Sequence, residues 1–249
     1  MSAITSGRTL RQSRPEEPPV LPGFEQIQRF WEPDTQRWTV KILPGEYYVT
    51  RSDEAITTVL GSCISACIRD PVARIGGMNH FMLPEDNSVR DERAPVVLAT
   101  RYGSNAMESL INDVLKLGGL RDRLEIKVFG GGRVLASMTD IGARNIDFVR
   151  SYLTIEGLRM NAQDVGGEQP RKVVYYPTEG RVRVRKLRPI ENRGVSDREK
   201  LYMDSLGNHD SGGDIELFSW APGESRCSSS TTPRSCAASC RICCRRTRA

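Results

Sequence analysis

Residues 57–84, TTVLGSCISACIRDPVARIGGMNHFMLP, decide how this chain folds, because they contain two apolar segments separated by a turn. Apolar and more polar residues alternate over 64–68, which is typical of a strand. The RDPVAR segment predicts a turn, and IGGMNHFML predicts a second strand around His80. Two strands joined in this way would bring His80 close to Cys63, at the start of the first strand.

The remaining patterns predict an α+β domain over residues 23–190, an α/β sandwich of mixed strands with two main helices. Apolar residues three and four apart predict the first helix over 104–117, capped near Ser104. The second helix is predicted to begin at Thr139 or Asp140. Further strands are predicted in WTVKI, EYYVT, LEIKVFGGG, LRMNAQDV, KVVYYP and RVRVRKL, with a hairpin joining the last two.

Both ends of the chain have the composition of disordered segments. Residues 1–22 are rich in proline, glutamate, serine and arginine, and periodic apolar residues become rare over 191–249. The final segment, 226–249, holds five of the seven cysteines and six arginines without an acidic residue. Removing these six charges from the net charge of +5 leaves −1 for the rest of the chain, so the basic character belongs to the tail.

Composition excludes several classes of protein. The sequence has no apolar run near the roughly 20 residues that a membrane helix needs, and residues 1–22 lack the apolar block of a secretory signal. We therefore expect a cytoplasmic protein that is not inserted in a membrane. A nearly neutral body also offers no basic field for nucleic acid.

Cys63 and His80 have the features of a nucleophile and its base. A nucleophilic cysteine needs a group that accepts its proton and donors that hold the oxyanion of the tetrahedral intermediate. Gly61 permits a tight turn with uncovered backbone amides, so the N–H groups near Ser62 and Cys63 are candidates for those donors. His80 is the one histidine before residue 209.

Two other interpretations stay open on the residues alone. Free cysteines are among the most buried residue types, so both body cysteines can be inert core residues, and Cys67 in mid-strand fits that interpretation best. Cys63, Cys67 and His80 also have a spacing similar to three ligands of a zinc finger. On one strand, however, the two cysteines would lie ~13 Å apart, too far for one ion. We expect no metal and no cofactor.

Two further features receive no catalytic role. The glycines at 130–132 lack the Lys-Ser/Thr of a phosphate-binding loop and predict a turn near the site instead. Asn145, in the second predicted helix, is interpreted as a polar cap or surface residue.

Taken together, these motifs resemble the chemoreceptor glutamine deamidase family, CheD. The resemblance covers about residues 22–188 and is carried by the segments LPGEYYVT, TTVLGSCISACIRDPVARIGGMNHFMLP, RYGSNAMESLIN, KVFGGG, TDIGARNIDFVRSYL, AQDVGG and YYPTEGRVRVRKL. It implies a fold related to bacterial toxin deamidases. It also implies conversion of chemoreceptor glutamines to glutamate with release of ammonia through a cysteine thioester, in chemotaxis adaptation.

The resemblance assigns roles position by position. The family's nucleophile follows Leu-Gly-Ser, which is Cys63 here, and its histidine stands in Gly-x-Met-x-His, which is His80. A threonine six residues before the cysteine assists, and that position is Thr57, whose hydroxyl would hold the His80 ring in its productive tautomer, although Thr58 has the same chemistry. Gly61 and Ser62 would support the oxyanion through the backbone.

The implied partners are the cytoplasmic domains of chemoreceptors as substrate and, in some organisms, a CheC-type phosphatase. Two alternatives belong to other functional classes. One is a signalling adaptor whose pocket only docks a helix, for which a Cys63→Ala variant would restore chemotaxis fully. The other is a different thiol enzyme, such as a peptidase or transglutaminase, which would cleave peptide bonds or cross-link amines.

Overall fold

Ten strands and three α-helices make up the part of the chain that a computed structural model describes, residues 14–83, 94–134 and 141–208. The strands are β1 (Gln28–Glu32), β2 (Arg37–Lys41), β3 (Tyr47–Thr50), β4 (Ala55–Leu60), β5 (Ile64–Asp70), β6 (Ile75–Asn79), β7 (Glu125–Gly130), β8 (Met160–Val165), β9 (Arg171–Tyr176) and β10 (Arg181–Lys186). The helices are α1 (Ala94–Lys116), α2 (Ile141–Ile155) and α3 (Pro189–Asn208), with one 3-10 turn at Arg121–Arg123.

The strands form two mixed sheets of five strands each. The first has the order β1-β2-β4-β9-β10 and the second the order β3-β6-β5-β7-β8. The pairs β2–β4 and β7–β8 are parallel, and all other pairs are antiparallel. This architecture confirms the predicted α+β class. The two strands predicted on either side of Pro44 and Gly45 both form, as β2 and β3, but they belong to different sheets.

Both sheets contribute side chains to one hydrophobic core. Val40 and Ile56 of the first sheet and Ile68 and Met78 of the second are fully buried in the same cluster. Helix α1 packs on β3, β5 and β6, and α2 contacts α1 and β5. Burial of each large apolar side chain contributes on the order of 2 kcal/mol, which is enough for this core to fix the hairpin that carries Cys63 and His80.

Helix α1 differs from its prediction at the N-terminal end. It begins at Ala94, ahead of the cap predicted near Ser104, so that cap is wrong. Gly103 lies inside the helix, where a Cβ atom would approach the Phe148 ring to 2.5 Å. Close packing of α1 against α2 therefore explains why this helical position is a glycine, a residue that is typical of helix ends. The predicted start of the second helix lies outside the described residues, and α2 is described from Ile141.

The largest departure from expectation is α3, a helix in a segment predicted to be disordered. Its residues Val195, Glu199 and Met203 are spaced by four and are buried against the domain. The sequence shows no apolar periodicity here, because the middle one of these three buried positions is a glutamate. The expectation of disorder from residue 191 is wrong for the helical segment, and residues 209–249 lie outside the described residues. No helix in the described parts of the chain is long and apolar enough to cross a membrane.

The described part of the N-terminal segment also contacts the domain. The guanidinium of Arg14 lies 4.0 Å from the centre of the Trp38 ring. The Trp38 indole N–H donates to the carbonyl of Glu16 at 3.2 Å, and Arg29 donates to the carbonyl of Pro18 at 2.7 Å. Residues 14–22 therefore run against β1 and β2 although they form no helix or strand.

Asp70 ties the end of β5 to two neighbouring loops, and its loss should destabilise the fold in a pH-dependent way. Its carboxylate accepts hydrogen bonds from the amides of Val72, Ala73 and Leu120 and from the guanidinium of Arg123. Burial raises the pKa of Asp70, but these bonds outweigh burial and lower the pKa from 3.8 to about 2.

A carboxyl whose folded-state pKa is depressed stabilises the fold above its unfolded-state pKa and loses that contribution as the pH falls through the folded-state value. We expect Asp70→Asn to lower the free energy of unfolding at neutral pH, with a pH-dependent part on the order of 1 to 2 kcal/mol after screening at the partly exposed Arg123. Urea denaturation at neutral pH and at about pH 3 would measure this difference in the free energy of unfolding. A difference between variant and wild type that does not shrink in acid would contradict the assignment.

Candidate active site

The β5–β6 hairpin brings Cys63 and His80 to one place, as the sequence predicts. Cys67 pairs with Met78 in this antiparallel hairpin, and the isolated bridge between Ile64 and Phe81 continues the same register. His80 and Cys63 each lie one residue before a member of that bridge. They are therefore diagonal neighbours on one face of the hairpin, a distance that side chains can span.

The carbonyl groups of residues 61–63 are all hydrogen-bonded to the surrounding domain. The carbonyl of Gly61 accepts from the amide of Gly132 at 2.6 Å, and that of Cys63 accepts from the amide of Gly131 at 2.8 Å. The carbonyl of Ser62 accepts from the Asn145 side-chain amide at 2.8 Å. With all three carbonyls engaged on one side, the three N–H groups point to the other side. The predicted turn near the site is thus part of its support.

Asn145 is a fully buried residue and not the surface residue or cap that the sequence suggested. Its side chain donates to Ser62 and accepts from the amide of Leu83 at 2.9 Å, so it links the loop to the segment that follows His80. A polar residue on a helix gives no sequence signal that separates a cap from a buried bridge. The sequence therefore does not predict this role.

The three amides of residues 61–63 converge on the carboxylate of Glu199 from α3. The Glu199 Oε1 atom accepts from Gly61 at 2.8 Å and from Cys63 at 3.2 Å. Its Oε2 atom accepts from the Ser62 amide at 2.9 Å and the Ser62 hydroxyl at 2.8 Å. Successive N–H groups that converge in this way form a nest that binds anions. We call the three amides the amide nest.

Gly61 permits this close approach. A Cβ atom at that position would lie 2.6 Å from Glu199 Oε2, so any larger residue would push the carboxylate out of the amide nest. The sequence gives no signal for Glu199, because the composition of its segment predicts a disordered extension.

The hydrogen bonds of His80 define its tautomer. The Thr58 hydroxyl lies 2.8 Å from His80 Nδ1 and also donates to the carbonyl of Ile42 at 2.8 Å. A hydroxyl has one hydrogen, and a carbonyl can only accept, so Thr58 must accept from an Nδ1–H group. The neutral ring therefore carries its lone pair on Nε2, which has no hydrogen-bond partner among the described residues. This nitrogen is free to accept a proton.

Thr57 does not make the contact with His80 that the resemblance implied. Its hydroxyl donates to the carbonyl of Val173 on β9 at 2.9 Å. Successive side chains on a strand project to opposite faces, so only one of the two threonines on β4 can face His80. In this structure the residue next to His80 is Thr58, which spacing alone did not distinguish from Thr57.

Burial sets the protonation of both central residues. It raises the pKa of the Cys63 thiol well above its ordinary value, and the charge of Glu199 and a hydrogen bond to it raise the pKa further. Burial alone lowers the pKa of His80 to about 3. At neutral pH the pair is thus a thiol and a neutral imidazole, which is the starting form for proton transfer from Cys63 to Nε2.

Two cavities flank the amide nest. One of about 300 Å³ is lined by Thr57, Thr58, His80 and Glu199, among others. The other, of about 190 Å³, is lined by Ser62, Gly131, Gly132 and Glu199, among others. Glu199 contributes to the walls of both cavities. Within the described residues, no group of three or more His, Cys, Asp or Glu side chains is arranged to hold a metal ion.

Fold and site define a class, an α+β protein with a buried cysteine-histidine pair beside an amide nest that holds a carboxylate. A family model described as CheD chemotactic sensory transduction matches residues 82–186. A protein of Halorhodospira halophila named probable chemoreceptor glutamine deamidase CheD is 53% identical over 203 residues, which cover 81% of this chain and 94% of that protein. A protein of Hahella chejuensis with the same name is 50% identical over 83% of this chain and 98% of its own length. The chain belongs to the CheD family.

Proposed function

We propose that this chain is a protein-glutamine deamidase that converts glutamines of chemoreceptor cytoplasmic helices to glutamate, with Cys63 as nucleophile. The family relatives carry the name of this activity. The observation that carries the proposal is the amide nest beside Cys63, because it holds the carboxylate of a glutamate side chain, the product group of glutamine deamidation.

The first half of the reaction forms a thioester. His80 Nε2 takes the thiol proton, and the Cys63 sulfur attacks the carboxamide carbon of the substrate glutamine. The amide nest donates hydrogen bonds to the oxyanion that develops on the carboxamide oxygen. The carbon–nitrogen bond then breaks, the imidazolium returns its proton to the nitrogen, and ammonia leaves.

The second half hydrolyses the thioester. Water in the position vacated by ammonia gives a proton to His80 Nε2 and attacks the acyl carbon. The carbon–sulfur bond breaks, the Cys63 sulfur regains a proton, and glutamate is released. No metal or cofactor is needed for either step.

The resemblance also implies a pathway, a location and a partner for this enzyme. We infer a role in chemotaxis adaptation, a cytoplasmic location and, where the organism has one, a CheC-type phosphatase as partner. A fold relationship to bacterial toxin deamidases stays a prediction.

The test is incubation of the purified full chain with a receptor cytoplasmic fragment, with ammonia release and peptide mass followed together. We expect ammonia in a one-to-one ratio with glutamates that appear at particular positions of the fragment. Peptide cleavage or amine cross-linking without ammonia would instead assign a different thiol enzyme. Binding of the fragment without any chemical change would assign the adaptor.

Thr58 is proposed as a positioning residue for His80, and the neighbouring Thr57 provides a matched control. We expect Thr58→Val to lower kcat roughly 10- to 100-fold, because the ring loses the acceptor that fixes its tautomer. Thr58→Ser should restore most of the activity, since the hydroxyl is retained. The pH profile of kcat should also change in Thr58→Val, which a purely structural role would not produce.

Thr57→Val removes a hydroxyl of the same size from the same strand and should lower kcat only a few-fold. A larger loss in Thr57→Val than in Thr58→Val would contradict the role proposed for Thr58 and return the assignment to the position implied by spacing.

A further inference from the structure

Helix α3 lies directly over the site through a narrow set of contacts. Glu199 reaches the amide nest, Val195 and Met203 are buried one turn before and one turn after it on the helix, and the Tyr202 hydroxyl is hydrogen-bonded to the Tyr102 hydroxyl of α1. Cys63 is completely inaccessible to solvent in this arrangement. A substrate side chain cannot reach the sulfur while α3 stays where it is.

The hydrogen bonds of Glu199 fit a carboxylate better than a carboxamide. Both of its oxygens accept N–H groups of the amide nest. A glutamine side chain at the same place would offer these donors a single oxygen, because an amide nitrogen cannot accept. The contact therefore has the chemistry of a reaction product in its site, on a helix of the same chain.

We propose that α3 is a built-in product mimic, which places the Glu199 side chain in the substrate position and keeps the site closed until a glutamine-bearing helix displaces it. This inference rests on the deamidase function proposed above. It adds a closed state of the enzyme and a route for the substrate side chain, which enters on a helix that takes the place of α3 beside the two cavities lined by Glu199.

The protonation of the site agrees with a closed state. Burial raises the pKa of Cys63, and the negative charge of Glu199 raises it further. Both effects disfavour the thiolate. Departure of α3 would expose Cys63 and remove that charge, and both changes lower the pKa of the thiol toward its reactive range. The same movement that admits a substrate thus activates the nucleophile.

Helix α3 is held to the domain by few buried side chains. Val195, Glu199 and Met203 are its buried side chains among those described, whereas Leu201 is 69% exposed and Asp197 and Lys200 also face solvent. The helix closes no sheet and contributes few residues to the core. It can therefore leave without unfolding the domain, as segments with few buried contacts do.

The first experiment measures access to Cys63 and does not depend on deamidase activity. The full chain is treated with iodoacetamide, and alkylation of each cysteine is followed by peptide mass. We expect Glu199→Ala to raise the rate at Cys63 about tenfold or more, because α3 loses its central anchor. Asp197→Ala, which removes an exposed carboxylate from the same helix, should leave the rate unchanged.

Cys67 serves as an internal control in the same samples. It is buried in β5, and burial raises its pKa, so it should stay unlabelled as long as the domain is folded. Labelling of both cysteines at the same rate would mean that the variant unfolds and that α3 is not a separable cover. Equal labelling of Cys63 in wild type and Glu199→Ala would also overturn the closed state, whatever the activity on a receptor fragment.

The second experiment tests the product mimic through the chain's own chemistry. In a Glu199→Gln variant the introduced glutamine carries its carboxamide to Cys63, and we expect the purified protein to convert it to glutamate. Intact mass and peptide mapping would show the change at position 199. The double variant with Cys63→Ala should retain the glutamine.

The outcomes of these experiments distinguish a failure of the product mimic from a failure of the proposed deamidase function. If the receptor fragment is converted but the glutamine at position 199 persists, the product mimic is wrong and the deamidase function stands. If neither the receptor glutamines nor the glutamine at position 199 are converted although Cys63 becomes accessible in Glu199→Ala, the deamidase function is wrong, and so is the product mimic.

Discussion

Cys63→Ala should abolish conversion of receptor glutamines, with kcat lowered at least about 10³-fold. The thioester cannot form without the sulfur. The amide nest and His80 remain, and they can support only slow direct attack by water on the carboxamide. Glutamate formation at each target position of a receptor fragment, measured by peptide mass over long incubations, gives the residual rate.

Cys67→Ala is the matched control for this prediction. Cys67 lies four residues further along the same hairpin and is 1% exposed, so its replacement creates a similar small cavity in the core. We expect a loss of about 1 kcal/mol in the free energy of unfolding and nearly unchanged kcat. If Cys63→Ala retained more than about a tenth of the wild-type rate, the nucleophile would have to be another group.

His80→Asn should lower kcat/KM by about 10²- to 10⁴-fold. Asparagine is chosen because its side-chain N–H group can still donate to Thr58 in place of Nδ1–H, while the acceptor nitrogen Nε2 is lost. The variant therefore removes proton transfer and preserves the local hydrogen bond. Initial rates of ammonia release over a range of fragment concentrations would give kcat and KM separately.

The pH dependence distinguishes a base from a structural histidine. His80 accepts a proton only when it is neutral, so wild-type activity should fall as the pH drops through its pKa in the open enzyme. With α3 in place, burial lowers the pKa of His80 to about 3. Exposure would return the pKa toward 6.5. In His80→Asn this loss of activity at low pH should be absent. A variant that retained both the loss at low pH and the wild-type kcat/KM would show that His80 is not the base.

The pairing of Cys63 with His80 was predictable because it depends on local sequence. A short turn between two apolar segments gives an antiparallel hairpin, and the register of a hairpin follows from its turn and its alternation. Gly61 likewise predicts a tight turn with uncovered amides near Ser62 and Cys63. The hairpin lies within one continuous stretch of the chain and is present in the structure, whereas the two amides are covered by the carboxylate of Glu199.

The contributions from distant segments were not predictable. Thr57 and Thr58 are chemically equal, and only the orientation of β4 against β6 decides which of them meets His80. Glu199 lies 136 residues beyond Cys63 on a helix whose buried stripe contains a charge, so its periodicity carries little signal. Such contacts depend on tertiary packing, which overrides local propensity.

The division of strands between the sheets has a similar cause. β2 and β3 are separated by a short Pro-Gly connection that favours a hairpin in sequence. β2 instead pairs in parallel with β4, and β3 pairs with β6. Pairing between strands far apart in sequence is set by the total burial of both sheets, which a single segment does not encode.

The most direct test of the central claim, a thioester on Cys63, is conversion of a receptor fragment in the presence of hydroxylamine. A common acyl-enzyme predicts that glutamyl hydroxamate appears at the same positions as glutamate. Its share should rise with hydroxylamine while the summed rate of both products stays constant, if formation of the thioester limits turnover. Formation of glutamate alone at every hydroxylamine concentration would contradict the account, because water would then be attacking the carboxamide without an intermediate that the stronger nucleophile can intercept.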